Sequence, residues 1–295
     1  MKVVELFTTN THHPSQRIRD DELDLFGLTH PGKVRTENQD HFLACTVHPE
    51  VLIHGTSLPA TDQLPLRGQR LATILLVADG VGGGEAGSDA ARIATETVTR
   101  YVSSTLRSYH AAGTSDEDQF LEALRAAVLD AHQAVRGEAL QRGSQKSMAT
   151  TLTLGIGVWP WLYVVQVGDS RAYYYWNGQL HQVTRDQTLA QDLVDQGLLP
   201  AERLPASPFR HVLSSAIGSD EAVPEVSRLR IDRKGSVLLF CSDGLTKHVS
   251  DAEIGEQIAA HARSEDVCRA LLALALERGG TDNITVVVAR RRQSQ

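Results

Sequence analysis

Apolar residues follow two rhythms along this chain, and the switches between them predict its elements. Leu23 to Thr29 alternates apolar and polar side chains, the period of a half-buried strand. His41 to Val47 reads as a second strand, and Ile74-Leu75-Leu76-Val77-Ala78 is an unbroken apolar run of strand type. Such a run fits a strand buried on both faces. A helical rhythm takes over from Ala86 to Leu106, and again from Asp116 to Arg142 behind Ser115 as N-cap. Strand patterns return at Leu152–Val158 and Trp161–Val167, joined by a tight turn at Trp159-Pro160. Arg171–Trp176 and Gln179–Thr184 make a hairpin across Asn177-Gly178, the residue pair that a two-residue turn demands. A short helix is expected over Leu189–Gln196, then strands over Glu225–Ile231 and Ser236–Cys241. Helices over Asp251–Ala260 and Ser264–Glu277 precede a last strand, Ile284–Ala289.

The long helices cluster in two blocks while the strands are mostly hairpin-linked. That is not the βαβ alternation of a doubly wound sheet; it predicts an α+β fold of antiparallel sheets covered by helices. Residues 1–22 are polar and charged and are expected to be a flexible lead-in to a single domain over 23–291. Residues 48–70 hold three prolines and two glycines and are expected to form an extended loop.

Composition narrows the class. The 295 residues are 41% hydrophobic and 22% charged, ordinary for a globular protein with a real core. A net charge of -7 argues against nonspecific binding to nucleic acid or acidic membranes. Three cysteines without a CxxC pair offer neither zinc-site spacing nor a disulfide framework. With no signal-peptide pattern and no apolar run near the ~18 residues of a membrane span, the expected location is cytoplasmic.

The chemistry begins where the apolar run stops at Asp79-Gly80. A buried-looking strand that delivers a carboxylate into a glycine-dense turn needs a counter-charge there. Residues 82–87 literally fit GxGxxG, but a dinucleotide site requires a second parallel strand soon after the helix, and helical pattern continues instead. No Gly-Lys-Ser/Thr follows for a phosphate loop, no cysteine has arginine six positions on, and GxSxG and HExxH are absent. What does recur is aspartate at strand ends. Ser242-Asp243-Gly244 closes a second apolar strand, Gly168-Asp169-Ser170 a third, and Thr281-Asp282-Asn283 precedes the last. Any one is an ordinary turn. Gathered together, they would repel unless cations lay between them, and Mg²⁺ or Mn²⁺ suits all-oxygen ligands.

Taken in order, these pieces resemble the metal-dependent protein phosphatases of the PPM, or type 2C, serine/threonine class in its bacterial form. The resemblance rests on Gly32-Lys33-Val34-Arg35-Thr36-Glu37-Asn38-Gln39-Asp40, Val77-Ala78-Asp79-Gly80-Val81-Gly82-Gly83 and Met148-Ala149-Thr150-Thr151. Val167-Gly168-Asp169-Ser170-Arg171, Ser242-Asp243-Gly244-Leu245 and Thr281-Asp282-Asn283-Ile284-Thr285 complete it. It implies a four-layer αββα sandwich, two antiparallel sheets face to face with helices outside and metals at one edge. By the same resemblance Asp79 would bridge two metals, with the Gly80 carbonyl on the second. Asp243 and Asp282 would complete the first, Asp40 would act directly or through water, and Asp169 would help hold a third. Asp79, Asp243 and Asp282 are thus the expected catalytic set, and Arg35 the receiver of the substrate phosphate.

The implied activity is hydrolysis of phosphoserine and phosphothreonine in proteins by a water activated between metals roughly 3.5–4 Å apart. Two to three Mn²⁺ or Mg²⁺ ions are the expected cofactors, and phosphorylated proteins, a Ser/Thr protein kinase among them, the expected partners of a monomer. Two positions depart from the pattern. Gln39 stands where some relatives carry a glutamate ligand, the one feature favouring the alternative of a phosphoprotein-binding module with little turnover. Val81 stands where some have a histidine, so no general acid is assigned; the twelve histidines read as surface or loop residues. Residues 185–212, with Pro200, Pro205 and Pro208, correspond to the family's flap beside the active site.

Overall fold

Alternate residues of the central apolar run face two different cores, which explains why no polar residue interrupts it. Ile74, Leu76 and Ala78 join a core with Leu154, Ile156 and Val165, whereas Leu75 and Val77 join one with Leu162, Val164 and Phe240. The structure, a computed structural model, describes residues 4–6, 17–50, 53, 57, 67–82, 84–111, 117–143 and 148–292.

The described strands, in chain order, are β1 (Val4–Leu6), β2 (Leu23–His30), β3 (His41–Val47), β4 (Ala72–Ala78) and β5 (Gly80–Val81). After them come β6 (Ala149–Thr150), β7 (Leu152–Val158), β8 (Trp161–Val167), β9 (Arg171–Trp176) and β10 (Gln179–Gln182). The set ends with β11 (Glu225–Arg230), β12 (Val237–Cys241) and β13 (Ile284–Arg291). The helices are α1 (Glu85–Ala111), α2 (Glu117–Gln141), α3 (Leu189–Asp195), α4 (Asp243–Thr246), α5 (Asp251–Ala260) and α6 (Ser264–Glu277). One sheet runs β1-β11-β8-β7-β4-β3 and the other β10-β9-β12-β13-β2. All pairings are antiparallel except β1 with β11.

Three cores fix the layers. Ala90, Ala94, Val98, Leu124 and Val128 of α1 and α2 cover the outer face of the first sheet. Ile254, Ile258, Val267 and Leu271 of α5 and α6 cover the outer face of the second. Between the sheets lie Leu75, Val77, Tyr174, Leu238, Phe240 and Val287. The expected α+β, four-layer αββα sandwich is the observed one. The hairpin turns where expected, with Asn177 at φ 52°, a left-handed conformation that asparagine tolerates better than most residues.

Departures concern ends and short elements. The stretch read as a flexible lead-in supplies β1, whose Val4 lies opposite Ser227, and a 3-10 turn at Asp20–Glu22. Glu22 there pairs with Arg291 at 2.6 Å. The helix expected to stop at Leu106 runs on to Ala111, and the hydroxyls of Ser104 and Thr105 donate to the Tyr101 carbonyl within it. Ser115 and Asp116, the expected start of α2, lie outside the described residues, as does most of the 48–70 loop. A bridge between Glu50 and Arg67 joins the two arms of that loop.

Candidate metal centre

β4, β8 and β12 all run toward one end of the sandwich, and β13 starts there, so four strand ends deliver aspartates to the same place. β4 delivers Asp79. Its N–H donates to Thr151 Oγ1 at 3.0 Å, while its carbonyl accepts from Thr151 N–H and Thr150 Oγ1 at 2.9 Å each. Thr151 Oγ1 also meets Ser170 Oγ at 2.7 Å, and Thr153 Oγ1 donates to the Ser170 carbonyl. The threonines after Met148 therefore lock the Asp79 backbone to the turn that presents Asp169. Gly80 has no substitute, because a Cβ there would lie 2.3 Å from the Gly87 carbonyl oxygen.

Asp40 sits behind this pair, 3% exposed. Its Oδ2 accepts from Ser242 Oγ and Thr285 Oγ1, both at 2.7 Å, while its Oδ1 has no hydrogen-bond partner. Ser242 immediately precedes α4 yet makes no side-chain cap bond, since its hydroxyl is spent on Asp40. α4 opens with Asp243 and, one turn later, returns Lys247 to the same face. Lys247 Nζ lies 2.7 Å from Asp243 Oδ2 and 2.8 Å from Asp282 Oδ2. Gly244 lets α4 approach β13, because a Cβ would fall 1.9 Å from the Asn283 carbonyl oxygen.

Asn283 fastens the loop between β2 and β3, which carries both Arg35 and Asp40. Its Nδ2 donates to the Pro31 and Glu37 carbonyls at 3.0 and 2.8 Å, and its Oδ1 accepts from Gln39 N–H at 2.9 Å. Gln39 Nε2 donates to the Gly84 carbonyl. An amide can make that bond; the ionised glutamate of the family pattern could not.

Charge divides the site into two halves. Burial, then repulsion from Asp40, Asp243 and Asp169, pushes Asp79 well above the usual carboxylate range. Asp169 is pushed up by burial and by Asp243, and Asp40 rises to about 6 by burial, against its two hydroxyl donors. Burial would raise Asp282 as well, but the hydrogen bonds from Lys247 and Arg35 outweigh it, and its carboxyl is lowered. In one half of the site protein cations outweigh burial; in the other, Lys247 offsets only a minor part of burial and repulsion. The undercompensated half, with the unpartnered Asp40 Oδ1, is a set of oxygens that fits hard divalent ions.

Every expected site residue lies in this one region. Arg35, Asp79, Gly80, Asp169, Asp243 and Asp282 line an open cleft of about 810 Å³, with Asp40 buried beneath. Arg35 contacts Asp282 directly. Two residues escaped the sequence reading. Lys247 had a weak signal, standing four positions after Asp243 at helical spacing. His211 had none. It is a loop residue and exposed, as expected, yet one of its ring nitrogens lies within 4.8 Å of carboxylate oxygens of Asp169 and Asp243. The cysteines stay out of the chemistry. Cys241 and Cys268 are buried, and burial pushes the Cys268 thiol up to about 12.

The sequence profile of the family described as protein phosphatase 2C matches residues 55–279, and the chain belongs to that family. Serine/threonine protein phosphatase PstP of Mycobacterium tuberculosis is 34% identical over 218 residues, 74% of this chain and 40% of that protein. The match thus spans well under two thirds of that relative's length. Protein phosphatase PhpP of Streptococcus pneumoniae is 29% identical over 268 residues, 90% of this chain and 96% of PhpP. The solved catalytic domain of a serine/threonine protein phosphatase PstP in complex with two manganese ions superposes with a TM-score of 0.69 at 29% identity. That match covers 92% of this chain and 99% of the solved one.

Proposed function

We propose that this chain is a Mn²⁺- or Mg²⁺-dependent protein serine/threonine phosphatase. The observation that carries the reading is the convergence of Asp40, Asp79, Asp169, Asp243 and Asp282 on one end of the sandwich, three of them raised because burial and mutual repulsion outweigh what protein cations offset. Asp79, the Gly80 carbonyl, Asp243 and Asp282 would hold two ions, with Asp40 behind them and Asp169 toward a third. Such ions, when bound, lower the pKa of a water and neutralise phosphoryl oxygens.

The chain's own residues do the rest. Thr151 and Ser170 fix the backbone of Asp79 and the turn of Asp169, so the carboxylates need little reorganisation. Arg35 is more than half exposed on its side chain and can pivot from Asp282 to a phosphate. Lys247 places a second cation at the rim of the same cleft. The cleft, about 810 Å³, has room for a phosphorylated side chain. Phosphoproteins, a Ser/Thr protein kinase among them, are the substrates this reading assigns to a monomeric cytoplasmic enzyme. No helix among the described residues is long and apolar enough to cross a membrane.

The test is hydrolysis of a phosphothreonine peptide and of p-nitrophenyl phosphate by the purified chain. Turnover should require Mn²⁺ or Mg²⁺, stop in EDTA, and fall by about three orders of magnitude in Asp243→Asn. Metal-free turnover, or an Asp243→Asn variant of normal rate, overturns the reading. Tight phosphopeptide binding without phosphate release would replace it with a binding module.

A further inference from the structure

We propose that the flap carries a metal ligand of its own: the imidazole of His211 joins Asp169 and Asp243 in a mixed nitrogen–oxygen site for a transition ion such as Mn²⁺. The inference rests on the metal-dependent reading above and adds to it a donor, a metal preference and a tie between flap and cleft.

The three donors come from three separate elements. Asp169 lies in the turn after β8, Asp243 opens α4, and His211 belongs to the flap segment between α3 and β11. One ligand atom from each lies within 4.8 Å of the others. Three donors sharing one ion at about 2.0–2.2 Å cannot all stand more than about 3.8 Å from one another, so the set closes around an ion when each atom moves in by up to about an ångström. Arg210 Nε donates to His211 Nε2 at 2.9 Å and occupies the one lone pair of the neutral ring, so ligation exchanges that bond for the ion.

The flap is also held where the proposal needs it. Gly168, the residue before Asp169, exchanges hydrogen bonds with Gln187: its N–H donates to Gln187 Oε1 and its carbonyl accepts Gln187 N–H, at 2.8 and 3.0 Å. Ser214 N–H donates to the Gln187 carbonyl at 3.0 Å, and Leu189 N–H to the Val212 carbonyl at 2.8 Å. Both arms of the flap are therefore stitched to the turn that presents Asp169, on either side of His211. The two carboxylates are fixed by the sandwich, and the imidazole is the adjustable member.

An imidazole donor changes what the site selects. Mg²⁺ keeps an all-oxygen octahedron and gives up water reluctantly, whereas Mn²⁺ tolerates one imidazole among oxygens and the later transition ions take nitrogen more readily still. The flap should therefore close on Mn²⁺ and stay loose in Mg²⁺.

Electron spin-echo spectroscopy of the Mn²⁺-loaded full chain reads the proposal directly, because ¹⁴N modulation reports a ligated imidazole. Modulation is expected in the wild type and absent in His211→Gln, with the weakest Mn²⁺ Kd in equilibrium dialysis raised about tenfold or more and Mg²⁺ binding unchanged. Tryptic cleavage in the flap should be slower in Mn²⁺ than in Mg²⁺ for the wild type, and equal for His211→Gln. His211 is exposed, so the variant should keep the wild-type circular dichroism melt in EDTA. Two or more bound Mn²⁺ without nitrogen modulation, or modulation that survives His211→Gln, overturns the flap ligand and leaves the phosphatase reading standing. A histidine acting as proton donor would give that same spectroscopic null. Failure of the wild type to bind any Mn²⁺ overturns both.

Discussion

Arg35 grips Asp282 at two points, Nε to Oδ1 at 2.9 Å and Nη2 to Oδ2 at 3.1 Å. A guanidinium that spans two carboxylate oxygens matches two phosphate oxygens in the same way. If Arg35 passes from Asp282 to the substrate, the fork matters more than the charge. Arg35→Lys should raise KM for a phosphopeptide about tenfold, equivalent to about 1.4 kcal/mol, with kcat little changed. Steady-state kinetics in Mn²⁺ decide it, and an unaltered KM would place the phosphate elsewhere.

Asn283 is the clasp behind that arginine. Its amide satisfies the Pro31 and Glu37 carbonyls and the Gln39 N–H, and it is 5% exposed. Asn283→Ala strands those groups at a cost of about 1–3 kcal/mol for each that water cannot reach. The expected outcome is a lower urea midpoint and a higher KM, because Arg35 and Asp40 ride on the freed loop. A variant with a reduced midpoint but unchanged kinetics would make Asn283 a purely structural residue.

How legible this was depends on the range of the interaction. β3, β7, β8, α5 and α6 were readable to the residue because their apolar period and turn residues are local signals. Asp79, Asp169 and Asp243 were readable because each follows a strand and Asp282 because it precedes one, whereas Asp40 came only with the resemblance. β5 and β6 were not readable, since a two-residue pairing leaves no period. Lys247 and His211 were not either: both work through carboxylates brought in from other elements, which only the packed sheets reveal. The bond from Gln39 Nε2 to the glycine turn was not legible either, since its acceptor is a carbonyl 45 positions away.

The undercompensated half of the site makes a signed prediction about pH. A carboxylate whose folded pKa is raised contributes stability below its unfolded pKa of about 4 and loses it as pH rises through the folded value. Asp40, at about 6, and Asp79 and Asp169, also raised, therefore weaken the EDTA-treated protein between pH 5 and 7.5. His41, His132 and His211 are lowered, chiefly by burial, and act in the opposite direction, so the comparison must be with a variant. Asp79→Asn keeps the shape and deletes one charge. In EDTA its Tm should exceed the wild type by at least about 3 °C at pH 7.5, with the gap narrowing toward pH 5. Scanning fluorimetry in which the gap is absent, or widens on acidification, contradicts the assignment.

Lys247 should give the opposite sign, for the opposite reason. Its ammonium lies between Asp243 and Asp282; burial alone would lower its pKa, but the two carboxylates together outweigh that and raise it above the ordinary lysine value. Deleting the charge in Lys247→Met removes the one ammonium in contact with Asp243 and leaves Asp282 with Arg35. In EDTA the Tm should fall by about 2–4 °C, the shift that roughly 1 kcal/mol produces in a chain of this size. An ion approaching the same oxygens no longer competes with the ammonium, so the Mn²⁺ Kd should tighten about tenfold. Calorimetric titration and melting in EDTA together read both effects. Weaker Mn²⁺ binding in Lys247→Met would mean that the lysine supports the ion's ligands rather than contesting them. A variant less stable without metal and tighter with it would show that one side chain sets the threshold at which this site fills.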